Sequence, residues 1–160
     1  MALDADTDFP PLPPYTHVPG VTPHPVSDPK GHLYGAEDFL TGWPDEKLLG
    51  WGGRLFEHGF YWEAHEAWEQ LWIRFGRRGR EADVVKGLIK LAACGVKCLE
   101  TNQSGAIMHA KRATELLQGC SDSGLLTVSE FEFFIEMALS ASLDPPVLKV
   151  RSRGDAIKIF

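Results

Sequence analysis

The chain has 160 residues and a mass of 17.8 kDa, a size that suits one compact domain with a tail and needs no disulfide to hold a core. Hydrophobic residues make up 44% and charged residues 24%, which excludes wholesale disorder and fibrous repeats, and a net charge of −6 argues against a general nucleic-acid binder. No apolar run approaches the roughly 20 residues of a membrane span, the start MALDADTDFPPLPP lacks the basic end and apolar stretch of a signal peptide, and three cysteines suit a reducing compartment. A cytoplasmic protein with no membrane or nucleic-acid partner is expected.

Of the 11 prolines, eight lie between Pro10 and Pro29. Proline cannot donate to helix or ladder hydrogen bonds, so residues 1–35 are expected to be extended. Tyr15, His17, His24, His32 and Tyr34 interleave with these prolines, a composition unlike that of an inert linker and favouring a strap laid over the domain. Residues 36–144 read as one helical domain and 145–160 as a C-terminal tail, in which VLKVRSRGDAIKIF suits an extended pair or a docking segment.

The first helix is predicted to open at Pro44, with Asp45 and Glu46 complementing its dipole, and to close near Gly59. The second covers Tyr61 to Phe75 (YWEAHEAWEQLWIRF), where helical spacing gathers Tyr61, Ala64, Trp68, Leu71 and Trp72 on one side. The third runs from about Glu81 to Glu100, its Gly87 and Gly95 permitting close helix contacts. The fourth spans Ser104 to Leu117 on an Ala/Leu face, and the fifth Val128 to Ser140, carrying Phe131 and Phe134. Short polar connections imply antiparallel neighbours, so the predicted fold is all-α: a compact bundle of about five helices with a proline-rich N-terminal strap.

The second helix carries the chemistry. The same arithmetic places His65 and Glu69 one turn apart at the inner edge of the aromatic face, where burial predicts that they pair by a hydrogen bond. Glu66 falls at the margin, able to reach a cleft, while Glu63 and Gln70 are expected to point outward. The string HEAWE fails the HExxH pattern of zinc proteases because position 69 is Glu. His65 and Glu69 would still supply two ligands to a divalent transition metal if His24, His32, His58 or His109 converged on them. His58 suits a cap at the end of the first helix. All five tryptophans lie between Trp43 and Trp72; most belong in a core, while Trp62 leaves the apolar arc. Cys94 and Cys98 read as small buried hydrophobes, and Arg74, Arg77, Arg78 and Arg80 as a solvated basic turn.

FYWEAHEAWEQLW, followed by KGLIKLAACGVKCLETNQSGAIMHAKRATELL, resembles a family of small prokaryotic helical proteins known as domain of unknown function 309. Glu63, His65, Glu66, Glu69 and Trp72 match its helix motif, and the resemblance covers about residues 45 to 118. Lys90 and Cys94 stand where that family often has Gln and a small residue, and PGVTPHPVSDPKGHLYG is similar to a leader of some members. The resemblance implies an all-α fold, often a homodimer, and supplies no reaction. The expected function is a ligand-binding or protein-interaction module with a buried His/Glu pair, its ligand met by Trp62, His65, Glu69, Trp72, His24 and His32. The competing reading is a metal-dependent hydrolase, or another small-molecule enzyme, with His65, Glu66 and Glu69 as catalytic candidates. Its metal ligands would come from His65, Glu69, His24, His32 and His109.

Overall fold

A computed structural model of the chain describes residues 9–144. They form five helices and no strand: α1 (Asp45–Glu57), α2 (Tyr61–Arg74), α3 (Arg80–Leu99), α4 (Gln103–Gln118) and α5 (Val128–Leu143). The proposed tail at 145–160, like residues 1–8, lies outside the described residues. No described helix is long and apolar enough to cross a membrane.

Each boundary follows from local chemistry. Pro44 stands just before α1 in an extended conformation, one residue earlier in the helix scheme than the first turn predicted for it. Its missing N–H costs nothing there, because the first amides of a helix have no partner inside it. At the other end the His58 ring lies 2.8 Å from the Arg54 carbonyl, and Gly59 adopts φ +83° to turn the chain into α2. The main-chain N–H of Gly105 donates to the Asn102 side chain at 2.9 Å to open α4, and α5 starts with a capping box between Thr127 and Glu130.

Successive helices pack on one another, and α3 also touches α5. The core is continuous through all five. Its centre is a triangle of rings from three helices: Phe56 of α1, Trp68 of α2 and Phe134 of α5, with centroids 5.8 to 6.0 Å apart. The indole N–H of Trp68, fully buried, donates to the Leu49 carbonyl at 3.1 Å, which satisfies its one polar atom. Glycine allows the closest approaches: a Cβ on Gly95 would overlap the Tyr61 ring, and one on Gly87 would come within 2.8 Å of Leu117 Cγ.

Residues 9–44 are non-helical and lie against α1 and α2. Phe9 stacks on Trp43 and tilts against Trp51 of α1. The Tyr15 hydroxyl donates to the Pro23 carbonyl at 3.0 Å and accepts from the His32 main-chain N–H at 3.3 Å, drawing the strap into a compact turn. Arg74, assigned from its sequence position to a solvated turn, is instead a latch. Its guanidinium donates to the carbonyls of Leu40, Thr41 and Trp43 and to Asp45, because the last turn of α2 ends beside the entry to α1.

Candidate functional site

Two clusters share α2 and meet at Glu66. The first faces outward. Among the described residues, His65, Glu66 and Glu69 form the group whose donor atoms lie within 4.8 Å of one another. His65 Nδ1 stands 3.4 Å from Glu66 Oε1 and 3.8 Å from Glu69 Oε2. The expected buried His65–Glu69 hydrogen bond is therefore corrected: 3.8 Å is too long, and the two side chains are 31% and 43% exposed. Helical spacing put them at the edge of the apolar face, and only the packing of neighbouring helices decides whether an edge is covered. His65 Nδ1 is itself shielded from solvent and makes no hydrogen bond, although both carboxylates lie on its side of the ring. Donors around a tetrahedral metal with bonds of about 2.0–2.1 Å stand roughly 3.3 Å apart, so small side-chain adjustments would let these three atoms share one ion. One helix would then supply three ligands and leave the remaining position open.

The second cluster lies where the strap covers α2, and it contains the residue that the sequence pattern placed wrongly. Glu63 does not point outward; it is 7% exposed. Its carboxylate accepts the Thr16 hydroxyl at 2.9 Å and the His17 main-chain N–H at 3.0 Å. Burial pushes its pKa up to about 7 against the downward pull of these hydrogen bonds, with the Glu66 charge adding a smaller upward push. The strap's rings complete the cover: His17 and His24 meet Trp62 of α2 and one another edge to face, with centroids 4.9 to 5.3 Å apart. The His17 ring nitrogen Nδ1 is 2.8 Å from the Thr22 hydroxyl. Burial, then His24, lowers the His17 pKa, while Pro23 and Glu66 raise it more weakly.

Beside this cover is a cleft of about 370 Å³ between the strap and helices α1 and α2. Trp51, Leu55 and Trp62 give it an apolar floor, prolines of the strap one wall, and Glu63 and Glu66 a polar side. His32 also lines it, with its ring against Tyr15, its pKa lowered by burial and its buried Nε2 without a hydrogen-bond partner.

The predicted site residues thus divide. Trp62 and His32 line the cleft; His65 and Glu69 belong to the outward cluster; Glu66 touches both. His24 packs on Trp62, and its Nδ1 accepts the Val26 and Ser27 main-chain N–H groups, so it does not join His65. His109 lies close enough to His65 for the two to interact electrostatically, but it too stays outside the donor group. Burial first, then Lys90, Lys97 and His65, lowers its pKa. Trp72 belongs to neither cluster; the Arg77 guanidinium lies 5.7 Å from its ring centre. Cys94 is buried, and its thiol is held protonated by the neighbouring Cys98 and by burial. Glu63, Thr16, His17 and Trp51 were missed as site residues. The aromatic and histidine content of the leader hinted at a cover, but no spacing rule tells which face of α2 a non-helical segment will choose.

Residues 51–109 match the family model described as Domain of unknown function (DUF309). This is the family that the α2 motif resembles. The DUF309 match covers the α2 residues of both clusters, from Trp51 on the cleft floor to His109, while the strap residues of the second cluster precede it. Among curated proteins and solved structures, nothing matches the chain.

Proposed function

We propose that this protein is a small-molecule-binding module whose site is the cleft between the strap and helices α1 and α2. The observation that carries this reading is the combination of an apolar floor with converging polar groups in a space of about 370 Å³, within the range of small-molecule sites. The unpartnered Nε2 of His32 adds a buried polar atom that a ligand would satisfy. The test is a fragment library screened by ligand-observed NMR against the full chain and against Ala36→Trp, an exposed rim position where an indole would fill the opening. Fragments that bind the parent and not the variant support the reading. No hits, or hits unaffected by the variant, refute it.

A second reading rests on the outward cluster: His65, Glu66 and Glu69 hold a divalent transition metal with a position left for substrate, as in hydrolytic metal sites. Its support is the proximity of the three donors and the shielded, unpaired His65 Nδ1. Elemental analysis and Zn²⁺ titration of the untagged protein, His65→Ala and Glu69→Ala test it. Near-unit metal in the parent, lost from both variants, supports it, and weak binding insensitive to either substitution removes it. The homodimer that the family resemblance implies is tested by sedimentation, where a species of twice the 17.8 kDa chain is expected.

A further inference from the structure

We propose that the ligand of the cleft is an organic cation: an ammonium group carried on an apolar body the size of one or two rings. The inference rests on the reading of the cleft as a ligand site and adds the chemistry of what fills it.

Charge is the first argument. Four carboxylates line the cleft, Glu63 buried at its side and Glu66, Glu37 and Asp38 at its more exposed edge, while none of its lining residues is Lys or Arg. Two basic side chains of α1 and α2 are committed elsewhere. Arg74 is spent on the carbonyls of Leu40, Thr41 and Trp43 and on Asp45, and Lys47 sits 4.1 Å above the Trp43 ring. Two of the acids are fixed in place by their own bonds. Glu63 accepts from Thr16 and His17, and Asp38 accepts from the Leu40 main-chain N–H and from Gln70 Nε2, both at 2.9 Å. Held in place, Asp38 and the partly ionised Glu63 need no rearrangement to receive a positive charge, which would itself favour the ionised form of Glu63.

The aromatic floor is the second argument, and it separates an organic cation from a metal ion. Trp51 and Trp62 offer indole surface beside the carboxylates. An ammonium gains from both, since a ring face attracts a cation by its quadrupole and an apolar body gains by leaving water. A bare metal ion has no use for the indoles and the proline wall. An anion would meet the carboxylates of Glu37, Asp38 and Glu66, and a neutral ring compound would gain from the floor alone.

The experiment uses the full chain in buffer containing EDTA, with phenethylamine, 2-phenylethanol and 3-phenylpropionate as probes of similar shape. Binding is read from the indole N–H resonances of the tryptophans. Phenethylamine is expected to bind about tenfold more tightly than the alcohol, with the acid weakest, a ratio that fits one cation–π contact plus partly screened charge pairing. Added salt and Glu66→Gln should each shrink that ratio, and Glu37→Gln at the exposed rim provides a second charge removal that leaves the packed wall intact. Equal or tighter binding of the alcohol or the acid overturns the cation inference while leaving the cleft as a ligand site. An amine preference unchanged in both variants also overturns it. If none of the three probes binds, both the inference and the reading beneath it fail.

Discussion

Glu63→Gln tests the account of the strap most directly. The carboxylate is 7% exposed and its pKa is raised from 4.5 to about 7, chiefly by burial. At about 1.4 kcal/mol per unit, the ionised group costs the docked strap on the order of 3 kcal/mol. The sign follows from where each state releases its proton. Below about pH 4.5 both the folded and the unfolded chain hold it, and the group contributes nothing. Between about 4.5 and 7 the unfolded chain has lost the proton and the folded one has not, so stability falls as pH rises. Above about 7 both are ionised and the full cost remains. Glutamine keeps the shape and removes the titration: its oxygen still accepts from the His17 N–H, and its NH₂ donates to the Thr16 hydroxyl, which can accept as well as donate. In urea titrations followed by tryptophan fluorescence, the variant should match the parent near pH 4.5 and exceed it by about 3 kcal/mol near pH 8. The comparison at each pH cancels the histidines, which both proteins share. A stability difference that does not change with pH, or a variant weaker than the parent at the higher pH, would refute the burial of an ionisable clamp under the strap.

Gly95→Ala should destabilise by about 1–3 kcal/mol or more, because overlap with the buried Tyr61 ring outweighs the roughly 1 kcal/mol that alanine gains in helix propensity. Gly42→Ala, where a Cβ meets nothing within 4 Å, is the control and should be neutral or slightly stabilising in the same denaturation assay. Thr127→Ala removes half of the capping box of α5 and should cost about 1 kcal/mol, read by chemical denaturation. His17, His32 and His109 all have pKa values lowered first by burial, so they favour the neutral form in the folded chain. As pH falls below about 6.5 the unfolded state takes up protons that the folded state resists, and stability drops. His109→Gln should flatten that part of the pH–stability profile, and an unchanged slope would count against a half-buried His109 that resists protonation.

The helices were legible because their signals are local. Pro44 with Asp45 and Glu46 and the unbroken Tyr61–Phe75 run mark helices through local chemistry, and the structure places α1 and α2 within a few residues of those marks. The core positions Trp68, Leu71, Phe131 and Phe134 also followed from period, since a helix can bury only the face on which such residues line up. Glu63 shows where this stops. Its angle on α2 lies well away from the apolar face, where period predicts solvent, and only a segment laid on that side can dry it. The strap supplies the cover, and its Thr16 hydroxyl and His17 main-chain amide converge on the buried carboxylate.

His65 and Glu69 failed in the opposite direction. Their spacing put them on one face, but none of the described residues fully covers that part of α2, so they remain partly exposed and 3.8 Å apart. Sequence by itself determined the five helices, their apolar faces and the grouping of His65, Glu66 and Glu69 on one helix, because each depends on neighbours three or four residues away. Tertiary structure alone decided that Glu63 is buried, that Arg74 latches the strap and that Trp51 and Trp62 share a cleft with Glu66. Those features join residues some 10 to 50 positions apart along the chain, and side-chain contact at that range is set by how the elements pack rather than by the period of any one of them.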